Sequence, residues 1–336
     1  MTILANHQNF VRAGMTWGQH MKQAIRDPET LAKCLNLPIQ AICQEQSQSD
    51  FPLFVPLPYL SRIELGNRQD PLLLQVLPTT DENSIEPGYS ADPLQEKTYS
   101  LGPGLLQKYD SRVLLVTTGA CAIHCRYCFR REFPYSESPR SLEAWKPSLQ
   151  KIQSDPTVSE VILSGGDPLT LVDSLLEQLI NRIESIDHIT RLRIHTRLPV
   201  VIPQRVTETL TEMIRKTRLH FVVVIHTNHA NELDEEVKMA LQELNSAGAI
   251  LLNQSVLLRN VNDSVNALKQ LSERLIECGV TPYYLHQLDK VNGAGHFHVS
   301  VETGLQLIEK LRAQASGYLV PRYVQEVPGA KNKTVL

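Results

Sequence analysis

The sequence lacks a long apolar run and a strong charge imbalance, and it has few cysteines. No uninterrupted hydrophobic stretch approaches the roughly 20 residues that a transmembrane helix requires. The first residues do not show the basic stretch and apolar core of a signal peptide. The formal net charge of −3 argues against nucleic acid or a membrane surface as the main partner. We therefore expect a cytoplasmic protein that binds neither nucleic acid nor a membrane.

The length and composition fit one large α/β domain with an added terminal segment. The chain has 336 residues, of which 42% are hydrophobic. Residues 8–75 show a mainly helical pattern, with a helix start at Asp27, Pro28 and Glu29. Residues 80–105 are rich in Pro, Gly, Asp and Ser and predict a long connection. The predicted division is an amino-terminal helical segment and connection at 1–105, a barrel at 106–300, and a carboxy-terminal helix and tail at 301–336.

Six short apolar runs predict six buried strands. The runs begin at Arg112, Val158, Ile189, Leu219, Ala249 and Val280. Amphipathic stretches such as residues 171–186 and 234–248 separate the strands, so the pattern predicts a parallel sheet with helices outside. Polar residues gather at the carboxyl end of each strand, which is where parallel α/β barrels carry out chemistry. Six units are fewer than a closed eightfold barrel requires.

A tight cysteine cluster follows the first of these strands, in the segment CAIHCRYC. Its thiols belong to Cys121, Cys125 and Cys128. Three thiolates on one loop can bind three irons of a [4Fe–4S] cluster and leave the fourth iron open to a small molecule. A structural zinc site usually has four ligands, and His124 could be proposed as the fourth. A zinc site, an iron–sulfur electron carrier and a binding scaffold therefore stay open as alternatives.

The other cysteines do not complete an obvious four-ligand set. They are Cys34, Cys43 and Cys278. Cys34 and Cys278 lie at apolar positions of predicted helices, which is typical of ordinary buried thiols.

The cysteine segment resembles the motif of radical S-adenosylmethionine (SAM) enzymes. In that family the open iron binds SAM, and an electron from the cluster cleaves the sulfonium to give a 5′-deoxyadenosyl radical. The segment SGGDP resembles the family's glycine-rich motif and implies SAM contacts from Ser164, Gly165, Gly166 and Asp167. Taken alone, SGGDP is typical of a tight turn before a helix.

Further motifs resemble the lysine 2,3-aminomutase family over most of the chain, from about residue 50 onward. They are CRYCFRRE, RLPVVIPQRV, HTNHANE, NQSVLLRNVND and SGYLVP. The resemblance implies a partial (β/α)6 TIM-like barrel of the radical SAM type. It also implies an isomerase in which the radical removes hydrogen from Cβ of L-lysine and the amino group moves from Cα to Cβ.

The short carboxy terminus, the segment LHQLD and Glu326 make the chain most similar to the bacterial form that produces (R)-β-lysine for elongation factor P. That form implies a functional link to elongation factor P and its lysyl ligase, and an electron donor such as flavodoxin or ferredoxin. A free β-lysine pathway, or arginine as substrate, stays open as an alternative. The sequence leaves the oligomeric state, including a homo-oligomer, undecided.

The family also uses pyridoxal 5′-phosphate bound to a lysine. The tail EVPGAKNKTVL matches the family spacing at Lys333, with Lys331 as the second choice. From sequence alone, lysines in a polar tail are usually solvated. The resemblance implies phosphate contacts from Lys108, Tyr109 and Arg112, although the family usually has arginine where Lys108 stands.

The resemblance also implies which residues bind the substrate and SAM. Arg130 would bind the α-carboxylate of the substrate, and Asp289 and Glu326 would bind its ε-ammonium. His226 and Gln254 match SAM contacts, with an interior hydrogen bond as the alternative role. His286 stands where longer members of the family have tyrosine, and Glu326 replaces a second aspartate.

Overall fold

The computed structural model describes residues 14–42, 51–84, 86–135 and 138–336. Cys43, one of the cysteines outside the cluster, lies outside these ranges. No helix in the described ranges is both long enough and apolar enough to span a membrane.

Five short helices form the described amino-terminal part. They are α1 (Trp17–Lys22), α2 (Pro28–Cys34), α3 (Ile39–Ile42), α4 (Leu57–Leu60) and α5 (Pro71–Leu74). Helix α2 starts as predicted, because the Asp27 side chain accepts a hydrogen bond from the Thr30 amide at 2.7 Å and Pro28 opens the first turn. Two four-residue 3₁₀ turns, Thr80–Asn83 and Glu96–Tyr99, lie in the described part of the connection that follows.

One open sheet contains the strands of the described chain, in sequential order from first to last. They are β1 (Ser100–Gly102), β2 (Leu105–Leu106), β3 (Arg112–Thr118), β4 (Glu160–Gly165), β5 (Arg191–Thr196), β6 (His220–Ile225), β7 (Ile250–Val256), β8 (Thr281–His286), β9 (Arg322–Gln325) and β10 (Thr334–Val335). Strands β3 to β9 are parallel. The pairs β1–β2, β2–β3 and β9–β10 are antiparallel.

The remaining helices connect the strands of the sheet. They are α6 (Leu142–Ser154), α7 (Asp173–Glu184), α8 (Leu198–Val201), α9 (Glu208–Lys216), α10 (Glu235–Ser246), α11 (Val265–Glu277) and α12 (Val301–Gln314). Helices α6, α9, α10, α11 and α12 each begin with a Ser, Thr or Asp cap whose side chain accepts an amide hydrogen bond. The predicted helices at 171–186 and 234–248 are confirmed as α7 and α10.

The structure confirms the partial α/β barrel and adds a parallel strand to it. All six predicted strands are present, and β9 is a seventh parallel strand that the sequence did not predict. The sheet also extends beyond both ends of the predicted 106–300 barrel, because β1, β2, β9 and β10 join it. The three-part division of the chain stays a prediction.

Candidate functional site

The site lies where the parallel strands end. Cys121, Cys125 and Cys128 follow β3, and the SGGDP segment ends β4. Because neighbouring parallel strands end at the same edge, these loops meet. The Gly166 amide donates to Thr118 O at 2.7 Å, and the Asp167 amide donates to Ala120 O at 2.7 Å. The end of β4 thus fixes the backbone that leads into the cysteine loop.

Two glycines make this close approach possible. Gly165 adopts a φ of +120°, and a Cβ atom there would lie 2.6 Å from Thr118 O. A Cβ atom on Gly166 would lie 2.3 Å from Ala120 O. In the described structure, these glycines are needed for packing against the cysteine loop. A SAM contact from them stays a prediction.

The three thiols are partly buried and influence one another. Burial raises the pKa of Cys121, and Cys128, Asp167 and Cys125 raise it further. Burial, with Cys125 nearby, raises the pKa of Cys128 to about 11. Thiolates so placed are disfavoured unless a cation compensates them, and bound iron supplies that compensation. The donor set therefore fits an iron–sulfur cluster.

The described residues contain no group of three or more His, Cys, Asp or Glu side chains arranged to hold a metal ion. A [4Fe–4S] cluster has a different requirement, because each thiolate binds a separate iron. Cys34 is partly buried at the end of α2, and Cys278 is buried after α11. The cysteine assignment stays a prediction.

The side chain of Asp167 joins the ends of β4 and β5. Its Oδ1 accepts from Thr196 Oγ1 at 2.7 Å and from the Leu169 amide at 3.0 Å. Its Oδ2 accepts from the Arg197 amide at 2.7 Å and from the Leu198 amide at 3.0 Å. Asp167 is 4% exposed, and the four hydrogen bonds engage both carboxylate oxygens. Its predicted contact with SAM is not tested by this arrangement.

His226 lies at the end of β6 with both ring nitrogens hydrogen-bonded. Its Nε2 is 2.8 Å from the Tyr127 hydroxyl, and its Nδ1 is 2.7 Å from Gln254 O. Burial and the nearby Arg197 lower the pKa of His226 to about 4, so the ring is neutral at physiological pH. The interior hydrogen bond considered from the sequence is thus present, and a SAM contact stays a prediction.

The carboxyl ends of β3 to β9 surround the opening of the barrel, which we call the mouth. Three buried side-chain nitrogen atoms near the mouth have no hydrogen-bond partner within the described ranges. They belong to His195 on β5, Gln254 on β7 and His286 on β8. Each of these Nε2 atoms is buried and has no hydrogen-bond partner among the described residues. Buried polar groups normally have partners, so this interior is suited to a polar ligand.

Lys333 is partly buried, whereas Lys331 is exposed. The Lys333 Nζ donates to Glu326 Oε2 at 2.5 Å. Burial lowers the pKa of both His195 and His286, and Lys333 lowers it further. The ammonium of Lys333 therefore lies within electrostatic reach of the interior.

Glu326 accepts hydrogen bonds from two of the residues predicted to bind the phosphate. Its Oε1 accepts from Lys108 Nζ at 2.5 Å and also from the Tyr109 hydroxyl. The Arg112 guanidinium lies over the Tyr109 ring, 4.3 Å from its centroid. Burial alone would raise the pKa of Glu326. Lys333, Lys108 and Tyr109 outweigh burial and hold this pKa below its usual value. The structure thus brings the four predicted residues Lys108, Tyr109, Arg112 and Lys333 to one corner of the mouth.

Arg130 already binds a carboxylate, which the sequence did not predict. Its Nε and Nη2 donate to the two oxygens of Glu96 at 2.8 and 2.6 Å. Its Nη1 donates to Ser164 Oγ at 3.0 Å. Glu96 comes from the connection before β1, which carries no motif that could have identified it. Asp289 lies nearby after β8, and burial raises its pKa to about 7.

A second unpredicted cluster lies behind the cysteines, around Arg197. The guanidinium contacts Cys125 Sγ at 2.6 Å and donates to Tyr127 Oη at 2.9 Å. It also donates to Gln75 at 2.8 Å and forms an ion pair with Glu232 at 2.7 Å. Arg197 directly follows β5, and the sequence carries no local signal for these partners.

Comparison with known proteins gives the same family as the motifs. The Radical SAM superfamily model matches residues 115–271. The L-lysine 2,3-aminomutase of Haemophilus influenzae is 47% identical over 97% of this chain and 96% of its own. The enzyme of that name from Escherichia coli is 46% identical over 95% of this chain and 94% of its own. The one from Clostridium subterminale is 42% identical over 82% of this chain and 66% of its own. The chain therefore belongs to the lysine 2,3-aminomutase family of radical SAM enzymes, which are isomerases.

Proposed function

We propose that the chain converts L-lysine to (R)-β-lysine with the help of a [4Fe–4S] cluster, SAM and pyridoxal 5′-phosphate. The observation that carries this proposal is the position of Lys333, whose ammonium lies at the carboxyl edge of the sheet that also bears the cysteine loop. The radical and pyridoxal 5′-phosphate must act on the same substrate molecule. The residues that bind the cluster, SAM and pyridoxal 5′-phosphate must therefore lie around one mouth.

Cys121, Cys125 and Cys128 would hold the cluster, and SAM would bind beside the end of β4. When bound, the cluster and SAM supply the radical that abstracts hydrogen from an unactivated carbon. The chain positions this chemistry through Gly165 and Gly166, which let the β4 end approach the cysteine loop. The unpartnered Gln254 Nε2 is a donor suited to a polar ligand at this edge.

Pyridoxal 5′-phosphate would bind through Lys333, with Lys108, Tyr109 and Arg112 near its phosphate. Two cations and a phenol at one corner suit a phosphate group. The side chain of Lys333 is about three-quarters buried, which limits its freedom to move into solvent. Its ion pair with Glu326 Oε2 holds the Lys333 side chain at this corner of the mouth.

Asp289 and Glu326 would bind the ε-ammonium of lysine, and Arg130 would bind its α-carboxylate. Two carboxylates at the far end select a cationic side chain and repel an anionic one. Arginine is also cationic, so the position of the acids, rather than charge alone, must exclude it. The two ends of the mouth thus orient the substrate.

We further propose that (R)-β-lysine serves the modification of elongation factor P, with the lysyl ligase of that factor as a functional partner. The support for this is the resemblance that the segment LHQLD and Glu326 carry in the sequence. A small electron-transfer protein such as flavodoxin or ferredoxin would reduce the cluster in the cytoplasm.

The direct test is an anaerobic assay. The protein is reconstituted with iron and sulfide and supplied with SAM, pyridoxal 5′-phosphate, dithionite and L-lysine. We expect (R)-β-lysine as product, identified by chromatography against both β-lysine enantiomers. Arginine supplied in place of lysine tests the alternative substrate. Absence of β-lysine from protein with a full cluster and bound pyridoxal phosphate would contradict the proposal.

The lysine assignment has a matched pair of variants in the same tail. We expect Lys333→Ala to keep the brown iron–sulfur colour but to lose isomerisation and the visible absorbance of bound pyridoxal. Lys331→Ala should keep all three, because Lys331 is exposed. If Lys333→Ala still isomerises lysine and Lys331→Ala does not, the assignment is wrong.

A further inference from the structure

The carboxylate-binding group of the mouth is already paired within the chain. The Nε–Nη2 side of Arg130 holds both oxygens of Glu96, a bidentate pair with donor–acceptor distances of 2.8 and 2.6 Å. The side chains are only 6% and 13% exposed. Such a fork matches one carboxylate in size and geometry. A second carboxylate cannot use the same fork without repelling Glu96.

Glu96 belongs to a segment that crosses the mouth, residues 86–99, which we call the strap. The Ser90 amide donates to Lys290 O at 3.0 Å, and Ser90 O accepts from the Asn292 amide at 3.1 Å. These bonds join the strap to the loop that follows Asp289. At its other end, the Tyr99 hydroxyl accepts from the Gly329 amide at 2.7 Å. The strap therefore connects Arg130 with the loop after Asp289 and with the segment after Glu326, the two other parts of the predicted substrate site.

The position of Glu96 in the strap is fixed locally. Its amide donates to Asp92 Oδ1 at 3.0 Å, and the preceding Gln95 adopts a left-handed φ of +53°. The side chain of Glu96 therefore meets Arg130 without any other cationic partner among the described ion pairs. Because the Glu96 side chain is only 13% exposed in this pair, its carboxylate can give up Arg130 only if the strap moves and lets it reach water.

We infer that Glu96 is an internal substitute for the substrate carboxylate, which holds Arg130 until the α-carboxylate of an amino acid takes its place. This inference rests on the proposed function, which assigns Arg130 to the substrate. Binding is then an exchange of one carboxylate for another, so the cost of releasing Glu96 lowers the affinity for every amino acid ligand. A diamine without a carboxylate cannot replace Glu96 on Arg130. Its binding therefore receives no contribution from Arg130. Glu96 thus sets both affinity and specificity at this end of the mouth.

The test compares L-lysine with cadaverine, which has the same carbon spacing between its amines but no carboxylate. Calorimetry measures binding of each to the holoprotein, in wild type and in Glu96→Gln. We expect the Kd of lysine to fall about tenfold in Glu96→Gln, because the glutamine holds Arg130 less tightly. Binding of cadaverine should not tighten. Asp173→Asn, which breaks an ion pair between α7 and Arg205 after α8, should leave both ligands unaffected.

A second measurement uses the wild-type protein alone and needs no variant to fold. Hydrogen exchange should show faster exchange of the amides of residues 92–99 when lysine is added, and no change when cadaverine is added. Equal or weaker lysine binding in Glu96→Gln, or a strap that does not respond to lysine, overturns the inference. If neither wild type nor variants bind lysine at all, the proposed function itself fails and the inference fails with it.

Discussion

At the scale of single residues, the mouth holds carboxylates in two different electrostatic states. Glu326 is surrounded by donors from Lys333, Lys108 and Tyr109, and its pKa is lowered. Asp289 is not compensated in the same way, and burial raises its pKa to about 7 although Lys333 opposes the shift. Glu326 is therefore ionised over the whole physiological range, whereas Asp289 changes its charge within that range.

This difference predicts a pH dependence for lysine binding. Below its pKa Asp289 is neutral and attracts the ε-ammonium weakly, and above it the carboxylate is charged. We expect the Kd of lysine to fall about tenfold between about pH 6 and about pH 8 in calorimetric titrations of the holoprotein. Asp289→Asn should bind more weakly and lose most of this dependence. A slope that is the same in Asp289→Asn would contradict the role given to Asp289.

At the scale of elements, the contact between the β4 end and the cysteine loop positions the proposed cluster. A Cβ atom on Gly166 would lie 2.3 Å from Ala120 O, and a backbone oxygen cannot yield as a flexible side chain can. The loop that carries Cys121 must therefore shift when any side chain is added at this position.

Gly166→Ala consequently tests that contact. We expect the variant to bind clearly less iron per chain after anaerobic reconstitution, measured by iron analysis and by absorbance of the cluster. The control is Gly18→Ala in α1, where a Cβ atom meets no atom within 4 Å and alanine favours the helix. Full iron content in Gly166→Ala would show that the loop does not depend on this approach.

The elements could be predicted from the sequence, but the pairs between them could not. The six strands and the helix start at Asp27 follow from local hydrophobic pattern and capping chemistry, which act over a few residues. Strand β9 was not predicted because it is only four residues long, which is too short for a clear hydrophobic pattern. Glu96 meets Arg130 across 34 residues, and Lys108 meets Glu326 across 218. Such contacts depend on how loops meet after folding, and neither partner carries a local signal for the other.

At the scale of the whole molecule, the amino-terminal helices and the barrel share one core. Leu31, Tyr59 and Leu72 belong to the same buried cluster as Val113 of β3 and Val161 of β4. Polar contacts join the same parts, because Arg197 at the end of β5 donates to Gln75 just after α5. The amino-terminal segment is therefore part of the structure that supports the cysteine loop.

The buried pair of Arg197 and Glu232 contributes to the stability of the chain, and Gln75 links this pair to the amino-terminal segment. Both side chains are buried, so Glu232→Ala leaves a buried guanidinium without its carboxylate. We expect a loss of about 3–5 kcal/mol in the free energy of unfolding, measured by anaerobic urea denaturation of the iron-free protein. Glu143→Ala, which removes an exposed pair with Lys146, should leave the midpoint unchanged. Equal midpoints for the two variants would contradict a central role for the pair.

The central claim is that three thiols hold an iron–sulfur cluster with one iron open to SAM. Electron paramagnetic resonance of the anaerobically reconstituted and reduced protein, recorded with and without SAM, tests it most directly. We predict the signal of a reduced [4Fe–4S] cluster whose line shape changes when SAM is added, and loss of that signal when Cys121, Cys125 or Cys128 is replaced by alanine. A bound zinc ion, or a cluster ligated by four side chains whose spectrum ignores SAM, would contradict the account.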